Sequence, residues 1–577
     1  MKYKLDVNDA LCNSNCGEQL HSIKSLADNN VIQITLSTHS MEPCSLLDRQ
    51  CQAWYNCSME TLKPLPVGLQ TFRDLMRGGF LYVDKTALIY ELIRSAKGVY
   101  FLARPRRFGK SLLVSTLEEI FLGNQELFQG LWLSASPYRW EKFPVIRIDF
   151  SLEPVKSAQE MEKSIQRTVQ RIARENNVTL QDGPYYAQWQ DLIYQLGAEK
   201  QVVVLVDEYD KPLIDNLQNL AEVQQIREVL KGFYGILKGM DRYLRFVFLT
   251  GITKFSKVGI FSGLNNLQDL SMDDRYAALP GITQTELEIE LYPYVQRFAA
   301  HQGITVEAAL AQIRLWYNGF RFTKADVTLY NPFSLVYFFD VQDFRNYWFD
   351  SGTPTFLVNL IQQQKYKLEE VQQRKVGELA FSTYELEHLA VLPLLYQTGY
   401  LTIKGYDPEQ RLYELGYPNR EVEDAFLTYI LGSFSQVEPG LNEAYLWQMV
   451  DALRAGKLEE FFDVLNSFFA HIPYTLQIKR EQYYQTIFYL IFTLIGLRTQ
   501  AEVVTNRGRI DAVIEVSTAI YLFEFKLNGS ETEALAQIKT TEYYQRYQLQ
   551  NKPLHLVGVN FSTRKRGVAK WSAAQQV

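Results

Sequence analysis

Two groups of residues in this 577-residue chain could do chemistry. Gly109-Lys110-Ser111 stands at the head of KSLLVSTLEEIF, an amphipathic stretch that directly follows the apolar run GVYFLA of residues 98–103. Backbone N–H groups at a helix start attract anions, so this placement suits phosphate. Lys110 could reach β/γ oxygens and the Ser111 hydroxyl could ligate Mg²⁺. The full pattern G-x-x-x-x-G-K-[ST] is broken, because Arg104 stands at the first glycine position.

A second strand-like run, VVVLVDEYD, ends at Asp207-Glu208, where a nucleotide at the carboxyl edge of a parallel sheet would place its metal. Asp207 is read as a Mg²⁺ ligand through water and Glu208 as the general base toward an attacking water. A solvated turn is the blander meaning of a strand-ending Asp-Glu. The two motifs in this order, nearly a hundred residues apart, favour nucleotide binding. A third run, RFVFLTGITKF, ends in Thr250, read either as a γ-phosphate sensor or as a polar strand terminus.

Near the C-terminus, GRIDAVIEVSTAIYLFEFKLNGS reads as two apolar strands about a Ser517-Thr518 turn. Pairing outward from that turn sets Asp511 opposite Glu524 and puts Lys526 on the Glu524 face, with Tyr521, Phe523 and Phe525 on the other. Two carboxylates facing each other across a ladder repel unless a cation lies between them. Mg²⁺ or Mn²⁺ on Asp511 and Glu524 meets that need, with the Phe525 main chain a further ligand and Lys526 orienting water or stabilising a pentavalent phosphate. Ser-Thr is not the favoured Asn-Gly turn, and a slip of one residue would break the site. An isolated E-x-K is usually an exposed ion pair. Here Glu481 on a preceding helix and Gln537 on a following one give the order carboxylate, Asp, Glu-x-Lys, Gln. Arg564-Lys565-Arg566 adds local positive charge.

The elements that must position these groups are legible from the pattern of apolar runs. GVYFLA, PVIRIDF, QVVVLVDE and RFVFLTG are short runs separated by helix-length polar stretches, the signature of a largely parallel sheet covered by helices. Upstream, GLQTFRDLMRGGFLYVDKTALIYELI reads as a helix, a turn at Gly78-Gly79, an aromatic strand and another helix. After Pro280 the pattern turns mainly helical and aromatic, its Tyr and Trp residues read as core, and from about residue 471 a smaller α/β module follows. The resulting division is 59–280, 281–470 and 471–577, preceded by a dissimilar segment 1–58 that holds all five cysteines. Their spacings fit no tight zinc pattern, and the reading favoured is upstream sequence with translation starting at Met59.

Composition bounds the rest. Apolar residues at 47% and charged residues at 21% suit several globular cores, and a net charge of −6 confines any nucleic-acid contact to a local groove. The longest apolar run, Ile487 to Leu497, is too short to span a membrane and is expected to be a buried helix. No leader-like segment opens the chain, so the cytoplasm is the expected location.

Over almost everything from Pro64 to Ser562, the chain resembles the bacterial AAA-ATPase-like proteins that carry a C-terminal PD-(D/E)XK nuclease domain. The likeness is carried by PVGLQTFRDL, YVDKT, RPRRFGKSL, VVLVDEYDKPL, YNGFRF, LYNPFSL, YWFDSGTPTFL, YELGYPNREV, GRIDAVIE, FEFKLNGS and ALAQIK. It implies an α/β fold with a P-loop NTPase (AAA-like) parallel-sheet module, a helical middle region and a restriction-endonuclease-like C-terminal domain. It further implies that Arg104 is the family's own habit and that Lys110, Ser111, Asp207 and Glu208 serve ATP. Arg104, Arg107, Phe108, Gly109 and Thr250 complete the expected nucleotide set. By the same likeness Asp511, Glu524 and Lys526 form a nuclease site, assisted by Glu481 and Gln537. The expected activity is ATP-dependent, metal-dependent DNA cleavage, in defence or mobile-element processing, with homo-oligomeric assembly left open. The rivals are a nucleotide-switched binding or signalling protein that does not cut, and an ATPase acting on protein partners.

Overall fold

The structure is a computed structural model. It describes residues 62–576 apart from 96, 255–260, 262–263, 265, 350–354, 365–373, 383–389, 473–480, 500–510, 542–543, 546 and 548–551. The cysteine-bearing segment 1–58 and Met59 lie outside the described residues.

Strand β3 (Val202–Asp207) is a run of β-branched and apolar residues buried along its whole length, as a strand covered on both faces must be. It lies between β2 (Val145–Asp149) and β4 (Leu244–Gly251), and β4 in turn pairs with β1 (Val99–Ala103), which carries the short β5 (Gln268–Asp269) at its edge. All four pairings are parallel. One face packs on α1 (Lys110–Phe121) through Leu113, Val114, Leu117 and Phe121 against Tyr100, Leu102, Val203, Leu205 and Phe246. The other packs on α2 (Ala158–Glu175), α3 (Tyr185–Gly197) and α4 (Leu220–Gly239). Alternate residues of one strand therefore feed two cores. The four strands expected from apolar runs all form.

Residues 80–83, expected to be an aromatic strand, join no sheet. Phe80 N–H donates to Leu75 O and Leu81 N–H to Pro64 O, with no partner strand alongside, and Leu81 packs with Tyr294 and Phe298 instead.

The middle region is mostly helical, as expected, and includes α5 (Val306–Tyr317), α6 (Pro332–Val341) and α7 (Arg420–Ser435). It also holds sheet that the helical reading missed. A two-stranded pair joins β6 (Ile282–Thr283) to β7 (Leu329–Tyr330), and β8 (Arg374–Val376), β10 (Leu412–Gly416) and β9 (Thr402–Asp407) form an antiparallel sheet in that order. The signal lay in LTIKGYDPEQRLYELG, two runs about a polar turn.

At the C-terminus, α8 (Pro439–Arg454), α9 (Leu458–His471) and α10 (Glu481–Thr499) back a mixed sheet of order β11-β12-β13-β14. The strands are β11 (Asp511–Glu515), β12 (Ile520–Leu527), β13 (Leu554–Ser562) and β14 (Gly567–Gln576). Phe461 and Phe492 pack on Phe523, and Phe488 packs on Phe525, so the apolar run from Ile487 is a core helix. Among the described residues no helix is long and apolar enough to cross a membrane. On the other sheet face lies α11 (Glu531–Thr541), seated through Ile538 on Ile520, Leu522 and Leu556.

The approach of α11 is set by Gly558. A Cβ there would come within 2.3 Å of Glu531 O and 2.6 Å of Leu535 N. Backbone cannot yield as a side-chain tip can. Gly558→Ala is expected to cost about 2–4 kcal/mol in chemical unfolding through overpacking. A change below roughly 0.5 kcal/mol, the range of a neutral surface substitution, would show that α11 does not press on the strand here.

Candidate functional site

The loop between β1 and α1 turns through two left-handed residues, Arg107 (φ 64°) and Gly109 (φ 85°), and Gly109 caps α1. The space beside Gly109 would admit a Cβ, so its positive φ is the reason for glycine. Lys110 is buried, its Nζ donating to Arg104 O (3.1 Å) and Pro105 O (3.0 Å), so the loop is wound round the ammonium. The loop is held from outside as well. Phe108 is buried edge-on between Phe320 and Phe322, and Trp348 Nε1 donates to Arg106 O at 3.0 Å.

Three residues of the expected nucleotide set have their side chains buried and engaged within the protein. Arg104 is 1% exposed and its guanidinium donates to Ala103 O and Ser271 O while stacking 4.4 Å above Phe322. Burial pushes that group down to about 10, and its hydrogen bonds brace the loop. Phe108 is an anchor in the core. Thr250 is fully buried, with its hydroxyl donating to Leu102 O at 2.7 Å, a brace between β4 and β1. Arg107 remains exposed, over the Phe333 ring at 4.8 Å.

Asp207 ends β3 in register with Asp149 on β2 and is 0% exposed. Oδ1 accepts from Glu208 N–H at 3.0 Å, while Oδ2 has no hydrogen-bond partner of normal geometry among the described residues. The carboxyl is pushed up to about 6, chiefly by burial, with Glu208 and Asp149 adding and the nearby Ser111 hydroxyl and Lys110 opposing. Glu208 sits at φ 50°, a strained position for a side-chain-bearing residue. A buried carboxylate close to a serine hydroxyl and a lysine at a helix start is a donor set that fits Mg²⁺ and a nucleotide phosphate.

Two groups beside this site escaped the sequence reading. Asp149 carried only the weak signal of a strand-ending acid. Asp210 is fully buried and its Oδ2 accepts from Ile252 N, Thr253 N and Thr253 Oγ1 at 3.0, 2.6 and 2.6 Å. It ties the end of β3 to the end of β4, and Gly251 leaves room for it, since a Cβ there would lie 2.3 Å from Asp210 Oδ1.

In the C-terminal sheet Asp511 pairs with Glu524 and Glu515 with Ile520, closing on a two-residue turn at Ser517-Thr518, as expected. The unfavoured turn is held by tertiary contact, with Thr518 Oγ1 donating to Arg454 O (2.9 Å) and Tyr521 OH to Leu453 O (2.8 Å). Glu524 is 0% exposed. Lys526 Nζ donates to Glu524 Oε1 at 3.2 Å and to Gln537 Oε1 at 2.5 Å, so a helix and two positions of one strand converge on a single ammonium. Glu481 opens α10; its side chain and that of Asp511 lie outside the described part.

Asn560, in register with Lys526 on β13, was missed by the sequence reading. Its Oδ1 is buried beside the carboxylate ladder with no hydrogen-bond partner among the described residues. Arg564-Lys565-Arg566 forms the β13–β14 turn at the Lys526 end of the sheet, where Thr563 N–H donates to Asn528 Oδ1. Among the described residues no three His, Cys, Asp or Glu side chains cluster, and a metal here would need Asp511 as well as Glu524. The buried Glu524 carboxylate and a carbonyl oxygen without a partner among the described residues fit a hard divalent cation.

Two family models match the chain, a predicted AAA-ATPase over residues 66–261 and the PD-(D/E)XK nuclease superfamily over residues 479–571. The chain belongs to the AAA-ATPase-like proteins with a C-terminal PD-(D/E)XK nuclease-superfamily domain. It is 37% identical over 521 residues, 88% of this chain and 98% of the other, to a protein of Azotobacter chroococcum mcd 1 described as "Uncharacterized protein in vnfD 5'region".

Because the folded state raises the Asp207 pKa from 3.8 to about 6, it binds that proton more tightly than the unfolded chain does. Its stabilisation is fully present below the unfolded value and is lost as pH rises through about 6. Asp207→Asn keeps the acceptor for Glu208 N–H and is expected to raise stability by roughly 2 kcal/mol at neutral pH, with little change near pH 4. Urea titrations at the two pH values measure this. An equal effect at both would remove the charge-burial account.

Proposed function

We propose that the chain is an ATP-hydrolysing protein whose nucleotide state controls a metal-dependent DNA nuclease. The observation that carries the nuclease half is Lys526, held between buried Glu524 and Gln537 with Asp511 paired across the ladder. A divalent cation on Asp511 and Glu524 would supply Lewis-acid charge and a more acidic water. Lys526, aimed by Gln537, would stabilise the charge that builds on the scissile phosphate, and Glu481 would assist from the start of α10. The β13–β14 turn offers Arg564, Lys565 and Arg566 to the backbone of the nucleic acid. In the ATPase half, Lys110 would exchange two loop carbonyls for β/γ oxygens, Ser111 and Asp207 would hold Mg²⁺, and Glu208 would orient the attacking water. Defence or mobile-element processing is the setting such a coupled machine would serve.

The full chain is to be incubated with Mg²⁺ or Mn²⁺ and single- or double-stranded DNA, with and without ATP. Cleavage is expected to fall at least about a hundredfold in Glu524→Ala, and ATP turnover to vanish in Lys110→Ala, with folding of both intact. Cleavage unchanged in Glu524→Ala would sink the nuclease assignment. Absence of cleavage from the unsubstituted chain under every condition would replace it with a nucleotide-switched binding protein.

A further inference from the structure

Past the end of β3 the chain turns back on itself, and of the residues Asp207 to Asp210 only Glu208 is partly open to solvent. Asp207, Tyr209 and Asp210 are each 0% exposed. Glu208 also takes the strain of the turn. Its φ of 50° is left-handed, a conformation that a residue with a Cβ keeps only where its surroundings impose it.

The neighbours on both sides impose it. Upstream, Asp207 is fixed by its register with Asp149, its carbonyl accepts from Phe150 N–H at 3.3 Å, and its Oδ1 accepts from Glu208 N–H. Downstream, Tyr209 N–H donates to Thr250 O at 3.0 Å and its hydroxyl to Thr253 O at 2.9 Å. Asp210 completes the hold, its carboxylate accepting from Ile252 N, Thr253 N and Thr253 Oγ1. Glycine at 251 permits this approach, since a Cβ there would lie 2.3 Å from Asp210 Oδ1 and 2.6 Å from Tyr209 Cδ1. Glu208 O then accepts from Lys211 N–H at 3.0 Å, which closes the turn.

The sheet itself does not need the Asp210 tie. Strands β3 and β4 already pair from Val202 to Val206, and an apolar residue at 210 would fill the space without the cost of burying a carboxylate. What the carboxylate adds lies beyond the strand end, where it fixes the residue two places after Glu208. Hydrogen bonds to an ionised acceptor away from water are strong enough to hold a strained neighbour that weaker contacts would let relax.

We propose that Asp210 is a positioning residue for ATP hydrolysis: anchored on the end of β4, it holds Glu208 in its left-handed conformation and so aims the Glu208 carboxylate at the attacking water. Asp210 touches neither nucleotide nor water. Its role rests on the reading of Glu208 as the group that orients that water, and it makes the aim of Glu208 depend on where Ile252 and Thr253 lie relative to β3.

Two measurements on the full chain test this, the first without nucleotide. Glycine escapes the left-handed penalty that alanine keeps, so Glu208→Gly should unfold at a higher urea concentration than Glu208→Ala. In the Asp210→Asn background, where an amide N–H₂ is set against the same donors and the turn can relax, that difference should largely disappear. An undiminished difference would overturn the proposal. The second measurement is ATP turnover. Asp210→Asn should lower kcat about tenfold or more while the affinity for a non-hydrolysable analogue changes less than about threefold. Thr253→Val, which removes one donor and keeps the shape, should lower kcat by a smaller factor and decides the matter if Asp210→Asn does not fold. In Glu208→Gln, which has already lost the carboxylate, Asp210→Asn should cost nothing further. Loss of affinity in place of kcat, or a loss that multiplies onto that of Glu208→Gln, would overturn Asp210 as a positioning residue. Turnover that survives Glu208→Gln would refute the reading of Glu208 itself, and the role of Asp210 with it.

Discussion

Burying a carboxylate inside an apolar sheet costs several kcal/mol unless something answers its charge, and this molecule does so at three places. Asp207, Asp210 and Glu524 are all fully buried, the first two at or just past a strand end and Glu524 within a strand, and each is met differently. Asp210 is answered by backbone N–H groups and a hydroxyl and becomes a permanent tie between two strands. Glu524 is answered by Lys526, which Gln537 holds in turn. Asp207 keeps one oxygen without a normal hydrogen bond, and its carboxyl is pushed up to about 6. Asp210 is structural, while at Asp207 and Glu524 the charge is only partly answered by the groups around it.

The strand order makes the first site. With β4 between β1 and β3, the Gly-Lys-Ser helix start and the Asp-Glu strand end open on the same carboxyl edge, one strand apart. The same order buries Thr250 on β4, which explains why its hydroxyl is spent on Leu102 O. Arg104 follows the same logic. Placed at the end of β1 under Phe322, it is drawn into carbonyl contacts that hold the loop against the 271–276 segment.

Contacts from the phosphate loop lead directly into the middle region. Phe108 lies against Phe320 and Phe322, and Trp348 reaches both the loop, through Arg106 O, and α7, through Glu421. From α7 the chain of contacts continues, with Asp424 pairing with Arg498 on α10 and Arg420 donating to Leu497 O. A change in the loop thus has a continuous packed route to the helix that backs the carboxylate ladder.

Local pattern in the sequence determined the strands, the helix start after Gly109 and the pairing of Asp511 with Glu524. Apolar periodicity and chain order are local properties, and a two-residue turn fixes register by counting. The same pattern could not show that Ser517-Thr518 turns because Arg454 O accepts from Thr518, or that Gln537 reaches Lys526 because Gly558 lets α11 close on the sheet. Nor could it show that Arg104 and Thr250 face inward, or that Gly319 lies against the Pro418 carbonyl. Each of those depends on groups distant in the chain competing for the same donors, acceptors and space. Only packing decides which partner a polar atom obtains.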